Sequence, residues 1–127
     1  MALYAGLIVV LLLLVKHYMW DFYYQPPYMW KNKGTFGHPG GLLHAGVHAL
    51  STLLIIVGWI GLEDALFLSI CEFVIHYAMD FYKMNINREM GWACNTHDQF
   101  WQLTGFDQLV HQINYIAIAA FVVKCLA

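Results

Sequence analysis

Residues 65–83 read ALFLSICEFVIHYAMDFYK. The stretch is apolar over nearly the length needed to cross a bilayer, yet it carries Glu72, His76 and Asp80 at a spacing of four. Residues four apart lie one turn above another on a single helix face. The segment therefore reads as a transmembrane helix with one polar stripe. Ionisable groups inside a span are costly, and such a stripe points to function.

Working outward, three further segments satisfy the requirement of roughly 20 mainly apolar residues. The four expected helices cover about 2–24, 41–61, 63–83 and 106–127. Pro26 and Pro27 stop the first, because proline cannot continue the hydrogen-bond ladder. The short turn Gly61-Leu62-Glu63-Asp64 makes the second and third antiparallel neighbours. Residues 25–40 and 84–105 form longer connections, and the aromatic and polar mixture around Trp92 and Trp101 predicts an interfacial helix within 88–103.

The composition agrees with a single all-α integral membrane domain, a four-helix bundle. Of 127 residues, 61% are hydrophobic and 11% charged, where a soluble domain keeps about 25% charged. A net charge of −2 with no basic stripe excludes nucleic acid as a partner. Cys71, Cys94 and Cys125 provide neither a disulfide framework nor a CxxC zinc motif. The apolar N-terminus lacks a basic flank and a small-residue cleavage site, so it reads as a retained span. Lys31, Lys33, Lys83 and Arg88 fall in or beside the longer connections, which the positive-inside bias assigns to the cytoplasm. Both termini and the short turn then face the non-cytoplasmic side, with Lys124 as an exception.

The four-residue spacing recurs in every span. His17 and Asp21 lie late in the first, His44 and His48 early in the second, Glu72, His76 and Asp80 in the third, and Asp107 and His111 early in the fourth. Fifteen histidine and acidic residues scattered at random over this length give about two such pairs; five occur. Alternating helix direction brings all of them to one level, near the end that carries the long connections. The eight residues His17, Asp21, His44, His48, His76, Asp80, Asp107 and His111 are thus candidate ligands for one or two divalent transition metal ions. Mixed imidazole and carboxylate donors suit zinc, iron or manganese. Gln25, Ser51, Gln108 and Asn114 extend the stripes and are candidates for orienting the ligands.

Glu72, one turn deeper, is a candidate third ligand, general base or neutral acid, and Lys83 a candidate electrophilic cation. His38 and His97 lie in the connections, as surface groups or as contacts to substrate. The aromatic run from Tyr18 to Trp30 forms an interfacial belt or the wall of a lipid groove. A hydrogen-bonded His–Asp network that only joins helices is the bland alternative, but such contacts contribute under about 1 kcal/mol each.

The motifs HYMWDFYYQ, KNK, LLHAGVHAL, FVIHYAMDFYKMN and FDQLVHQINY resemble, in order, those of a small bacterial and phage membrane family, domain of unknown function 3307. The resemblance spans nearly the whole chain. It implies a four-helix protein of a bacterial inner membrane, or a phage-encoded equivalent. The shared polar positions it implies are His17, Asp21, Gln25, His44 or His48, His76, Asp80, Lys83, Asp107, Gln108 and His111. It implies no reaction.

Three functions compete on these residues. A metal-dependent hydrolase acting on a lipid or lipid-linked substrate at the cytoplasmic face ranks first, because a bound ion activates water and polarises an ester. A di-iron desaturase- or hydroxylase-like enzyme is second, with fewer histidines than such centres use. A non-enzymatic metal-binding or transport subunit is third, since the far halves of the second and fourth helices carry almost no polar group. Gly58 and Gly61, or Ala119 and Ala120, are the close-contact positions a homo-oligomer or larger membrane complex would use.

Overall fold

A computed structural model describes all residues, 1–127. The chain is all-helical: α1 (Ala2–Tyr18) runs into a π-helical turn (Met19–Tyr23), followed by α2 (Pro27–Trp30), α3 (Pro39–Ile60), α4 (Leu62–Met90) and α5 (Asp98–Leu126). Four of these, with the π turn counted in the first, are long and apolar enough to cross a membrane. The expected four-helix membrane architecture is therefore present.

The long helices form a ring in the order α1, α3, α4, α5. Packing is closest between α3 and α4 and between α1 and α5, while the backbones of α1 and α4 stay apart across the diagonal. One half of the interior is apolar, built from Val9, Leu13, Ile56, Ala65, Ile118, Ala119 and Val122 with the ring of Tyr115. The other half is polar: thirteen polar or charged residues are buried in the protein against ten hydrophobic ones. Leu3, Leu7, Leu11, Leu54, Phe67 and Ile116 stand outward, the inversion expected where lipid is the solvent.

Several boundaries differ from the sequence expectation. The third and fourth spans are longer: α4 continues to Met90 and α5 begins at Asp98. Hydropathy falls along KMNINREM, but nothing there breaks a helix until Gly91, which takes φ 67° and ends it. The expected interfacial helix within 88–103 is accordingly not a separate element; its residues divide between the end of α4, a turn and the start of α5. At roughly 1.5 Å per residue each of these helices is roughly 44 Å long, so their paired ends project past a hydrocarbon core of about 30 Å.

The connection before α3 is also more ordered than expected. Pro27 opens α2, a single turn. Asn85 donates to the carbonyl of Gly34 at 3.0 Å, and Tyr77 Oη accepts from the Gly37 amide at 2.7 Å, tying the loop to α4. The first turn of α3 lies against the Tyr28 carbonyl so closely that a Cβ on Gly40 would stand 2.3 Å from that oxygen. Pro39 at the first helical position and the His38 ring, which accepts from the Gly40 amide at 3.0 Å, fix where α3 starts.

Candidate metal centre

Each long helix delivers its polar stripe to one level because the helices alternate in direction. Late α1 and the π turn bring His17 and Asp21, early α3 brings His44 and His48, the middle of α4 brings His76 and Asp80, and the first half of α5 brings Asp107 and His111. The π turn, with Asp21 at its centre, inserts one extra residue and so redirects the carboxylate relative to α1. The Gln25 amide donates to the Asp21 carbonyl and steadies this segment.

Four ligand atoms converge. Asp21 Oδ1 lies 2.9 Å from His44 Nε2, 3.2 Å from His48 Nε2 and 3.7 Å from His76 Nε2. His44 Nε2 and His76 Nε2 are 3.0 Å apart. A tetrahedral ion with ligands at about 2.0–2.2 Å sets its ligand atoms roughly 3.3–3.6 Å from one another. The observed edges bracket that value, and all four residues are nearly or fully buried.

Hydrogen bonds within this group are poorly aligned. If His44 Nε2–H points at Asp21, the facing His76 nitrogen must be a bare lone pair to avoid hydrogen meeting hydrogen at 3.0 Å. That lone pair then faces Asp21 Oδ1 at 3.7 Å and Asp80 Oδ2 at 3.4 Å. His48 Nε2 and Asp21 Oδ1 are buried and face each other at 3.2 Å without well-aligned hydrogen-bond geometry. A cation among the four atoms would engage the Nε2 lone pairs and Asp21 Oδ1 together, so the donor set fits a metal ion, while the Nδ1 atoms of His44, His48 and His76 stay buried without a protein acceptor.

A second group, His76, Asp80 and His111, shares His76 with the first. The His76 and His111 rings stack with centroids 4.1 Å apart. Asp80 also receives Lys33 Nζ at 2.9 Å and Lys83 Nζ at 3.5 Å, so its charge is partly neutralised by protein.

The remaining expected ligands sit at the margin. His17 Nε2 donates to Gln108 Oε1 at 2.7 Å, Gln108 Nε2 donates to Asp107 Oδ2 at 3.1 Å, and Tyr115 O–H donates to His17 Nδ1 at 2.9 Å. Every donor in this chain has a matching acceptor, which fixes the His17 tautomer and places its ring 3.3 Å from Asp21 Oδ2. Asp107 accepts from Lys83 at 2.6 Å and lies 3.1 Å from His111 Nε2. Gln108 thus bridges the His17 ring and the Asp107 carboxylate. Ser51 instead accepts from Trp20 Nε1 at 2.9 Å, and Asn114 makes no hydrogen bond to the group.

Glu72 lies beneath the rings and is ion-paired with Lys16, whose Nζ also donates to the His48 carbonyl at 3.0 Å. This pair spans the α1–α4 diagonal. Lys16, Lys33 and Tyr115 are the participants that spacing arguments missed. Lys16, an ammonium at the end of an apolar run, and Tyr115, four residues beyond His111, carried usable signals; Lys33, in a loop, carried none in its spacing and stood out only within the KNK motif.

A cleft of about 350 Å³ opens beside the group, lined among others by Asp21, Lys33, Lys83, Asn87, Phe100 and Gln108. Its wall of Met84, Asn87, Phe100 and Thr104 comes from the projecting ends of α4 and α5. His38 and His97 line neither the cleft nor the ligand groups.

A family model described as "Protein of unknown function (DUF3307)" matches residues 9–127. No curated protein and no solved structure matches the chain.

Proposed function

The chain belongs to the DUF3307 family, whose description carries no activity, and from the site we propose a membrane-embedded, metal-dependent hydrolase acting on a lipid or lipid-linked substrate. The observation that carries the metal assignment is the convergence of Asp21 Oδ1 with the Nε2 atoms of His44, His48 and His76 at 2.9–3.7 Å. Zinc, iron or manganese suits these donors. A bound ion of this kind supplies activated water and polarises an ester or phosphoryl oxygen.

Charge supports an anionic step at this position. Asp21, Glu72, Asp80 and Asp107 contribute four negative charges to the buried cluster, and Lys16, Lys33 and Lys83 contribute three positive ones. The sum is −1 with neutral imidazoles; a divalent ion together with one anionic group brings it to zero. Lys83, on the cleft wall, is placed to steady negative charge that develops on a substrate. His17 and Gln108 hold Asp21 and Asp107, while the Lys16–Glu72 pair supports the rings from below. In this reading the long connections face the cytoplasm; of the four cations that suggest it, Lys33 and Lys83 are engaged in the cluster, which leaves Lys31 and Arg88 to carry the bias.

The second ligand group favours one rival, a dinuclear oxidative centre. His76 belongs to both groups, so two ions need its two ring nitrogens to serve different metals. Metal analysis of detergent-purified protein separates the readings. One ion per chain, lost in His48→Ala together with phospholipid or ester hydrolysis, is the expected result. Two irons with dioxygen-dependent product favour the rival. A His48→Ala protein that keeps its full metal content removes the assignment.

A further inference from the structure

We infer that the cleft beside the ligand group is a phosphate-binding site, formed by Lys33 and Lys83, and that the substrate class is a phosphate ester of a lipid headgroup. The inference rests on the hydrolase reading for its link to turnover, but the binding site stands on separate residues. Lys33 and Lys83 both line the cleft, and their ammonium groups bracket the Asp80 carboxylate, at 2.9 Å from Oδ2 and 3.5 Å from Oδ1. Asp21 is the only carboxylate on the cleft wall; Asp80 and Asp107, which pair with the two ammonium groups, are buried behind them.

Both lysines retain donors. An ammonium has three N–H groups. Lys33 makes one short contact, to Asp80, and its next carboxylate is 3.7 Å away; Lys83 makes one, to Asp107 at 2.6 Å, and its next is at 3.5 Å. Asn87 is nine-tenths buried against the same cleft, and its side-chain oxygen has no partner in the protein. An amide there offers both a donor for a phosphoryl oxygen and an acceptor for a hydroxyl. A neutral ester would leave the ammonium donors unmatched, whereas a tetrahedral anion has oxygens for both. Trp30, Phe22 and Phe100 supply apolar wall on which the glycerol region of a lipid can rest, and a volume of about 350 Å³ suits a headgroup rather than a whole lipid.

The test uses the full chain in dodecyl maltoside micelles, which carry no phosphate, stripped of metal with EDTA, with binding followed by tryptophan fluorescence. Phosphatidic acid, diacylglycerol and inorganic phosphate are the probes. Saturable binding of phosphatidic acid, with none of diacylglycerol, is expected. Lys33→Gln and Lys83→Gln should each weaken it about tenfold or more, the scale of one charge-assisted hydrogen bond. The arginine replacements should retain it, and Lys31→Gln, on the exposed lysine outside the cleft, should leave it unchanged. If Lys33→Gln does not fold, Lys83→Gln decides, since its side chain is the more exposed. Saturation by inorganic phosphate alone keeps the phosphate chemistry and identifies a soluble source, overturning the lipid assignment. Equal losses in Lys31→Gln, or unchanged binding in both cleft variants, overturn the site. His48→Ala tells the two proposals apart, because it should lose metal and keep phosphatidic acid binding.

Discussion

Lys16 and Glu72 place a full ion pair where α1 and α4 face each other without backbone contact. Both groups are buried, so removing one strands the other. Lys16→Met is expected to lower stability by about 3–5 kcal/mol, and adding Glu72→Leu should recover most of that loss. Unfolding in mixed micelles with a denaturing detergent measures both; equal stabilities for the two variants would contradict the pairing. Tyr115→Phe removes only the O–H that donates to His17 Nδ1. Its expected cost is about 1 kcal/mol of stability, with metal affinity reduced about tenfold or more through the loosened His17–Asp21 contact. Each ligand imidazole takes either a proton or the ion, so metal affinity should fall as pH is lowered; a competition titration with a metal indicator reads this directly. At this scale the four-residue spacing revealed His44, His48, His76 and Asp21, since a helix face is a property of sequence. It did not reveal Lys33, whose burial depends on a loop folding back over α4.

Among the elements, the start of α3 and the π turn around Asp21 set the register of the candidate ligands. Gly40→Ala would drive a Cβ into the Tyr28 carbonyl, and the first turn of α3 must shift to relieve it. His44 follows one turn later, so the variant should keep its helix content by circular dichroism and bind metal at least about tenfold more weakly. Deleting Met19 should convert the π turn to a regular α-turn and rotate Asp21 by about 100° away from the rings. Metal binding should then vanish while insertion into membranes persists; retained stoichiometric metal would show that the turn is dispensable. Neither feature could be read from the chain: a π turn has no compositional mark, and the Gly40 contact requires knowing where Tyr28 lies. The overlong α4 and α5 escaped for a related reason. Hydropathy locates the part of a helix in lipid, and the sequence beyond it stays helical for want of a breaker until Gly91.

For the whole molecule, an ion bound only by the folded protein stabilises it by mass action. At one hundred times the dissociation constant the gain is about 2.7 kcal/mol, so EDTA should lower the unfolding temperature and zinc, iron or manganese should restore it. Unchanged melting across that cycle would deny the folded state a tight ion. The diagonal strut between Lys16 and Glu72 also bears on how the chain enters a membrane. Alone, α4 must carry Glu72, His76 and Asp80 into lipid, and an acidic residue at mid-span costs a helix about 2.5–3.5 kcal/mol on insertion scales. It is the least hydropathic of the four spans. Its neutralising cation rides on α1, synthesised far earlier, while its histidine partners ride on α3, joined to it by a single-glycine turn. Biogenesis should therefore hold α1 beside the translocon until the α3–α4 hairpin arrives, and the three should leave together for the bilayer.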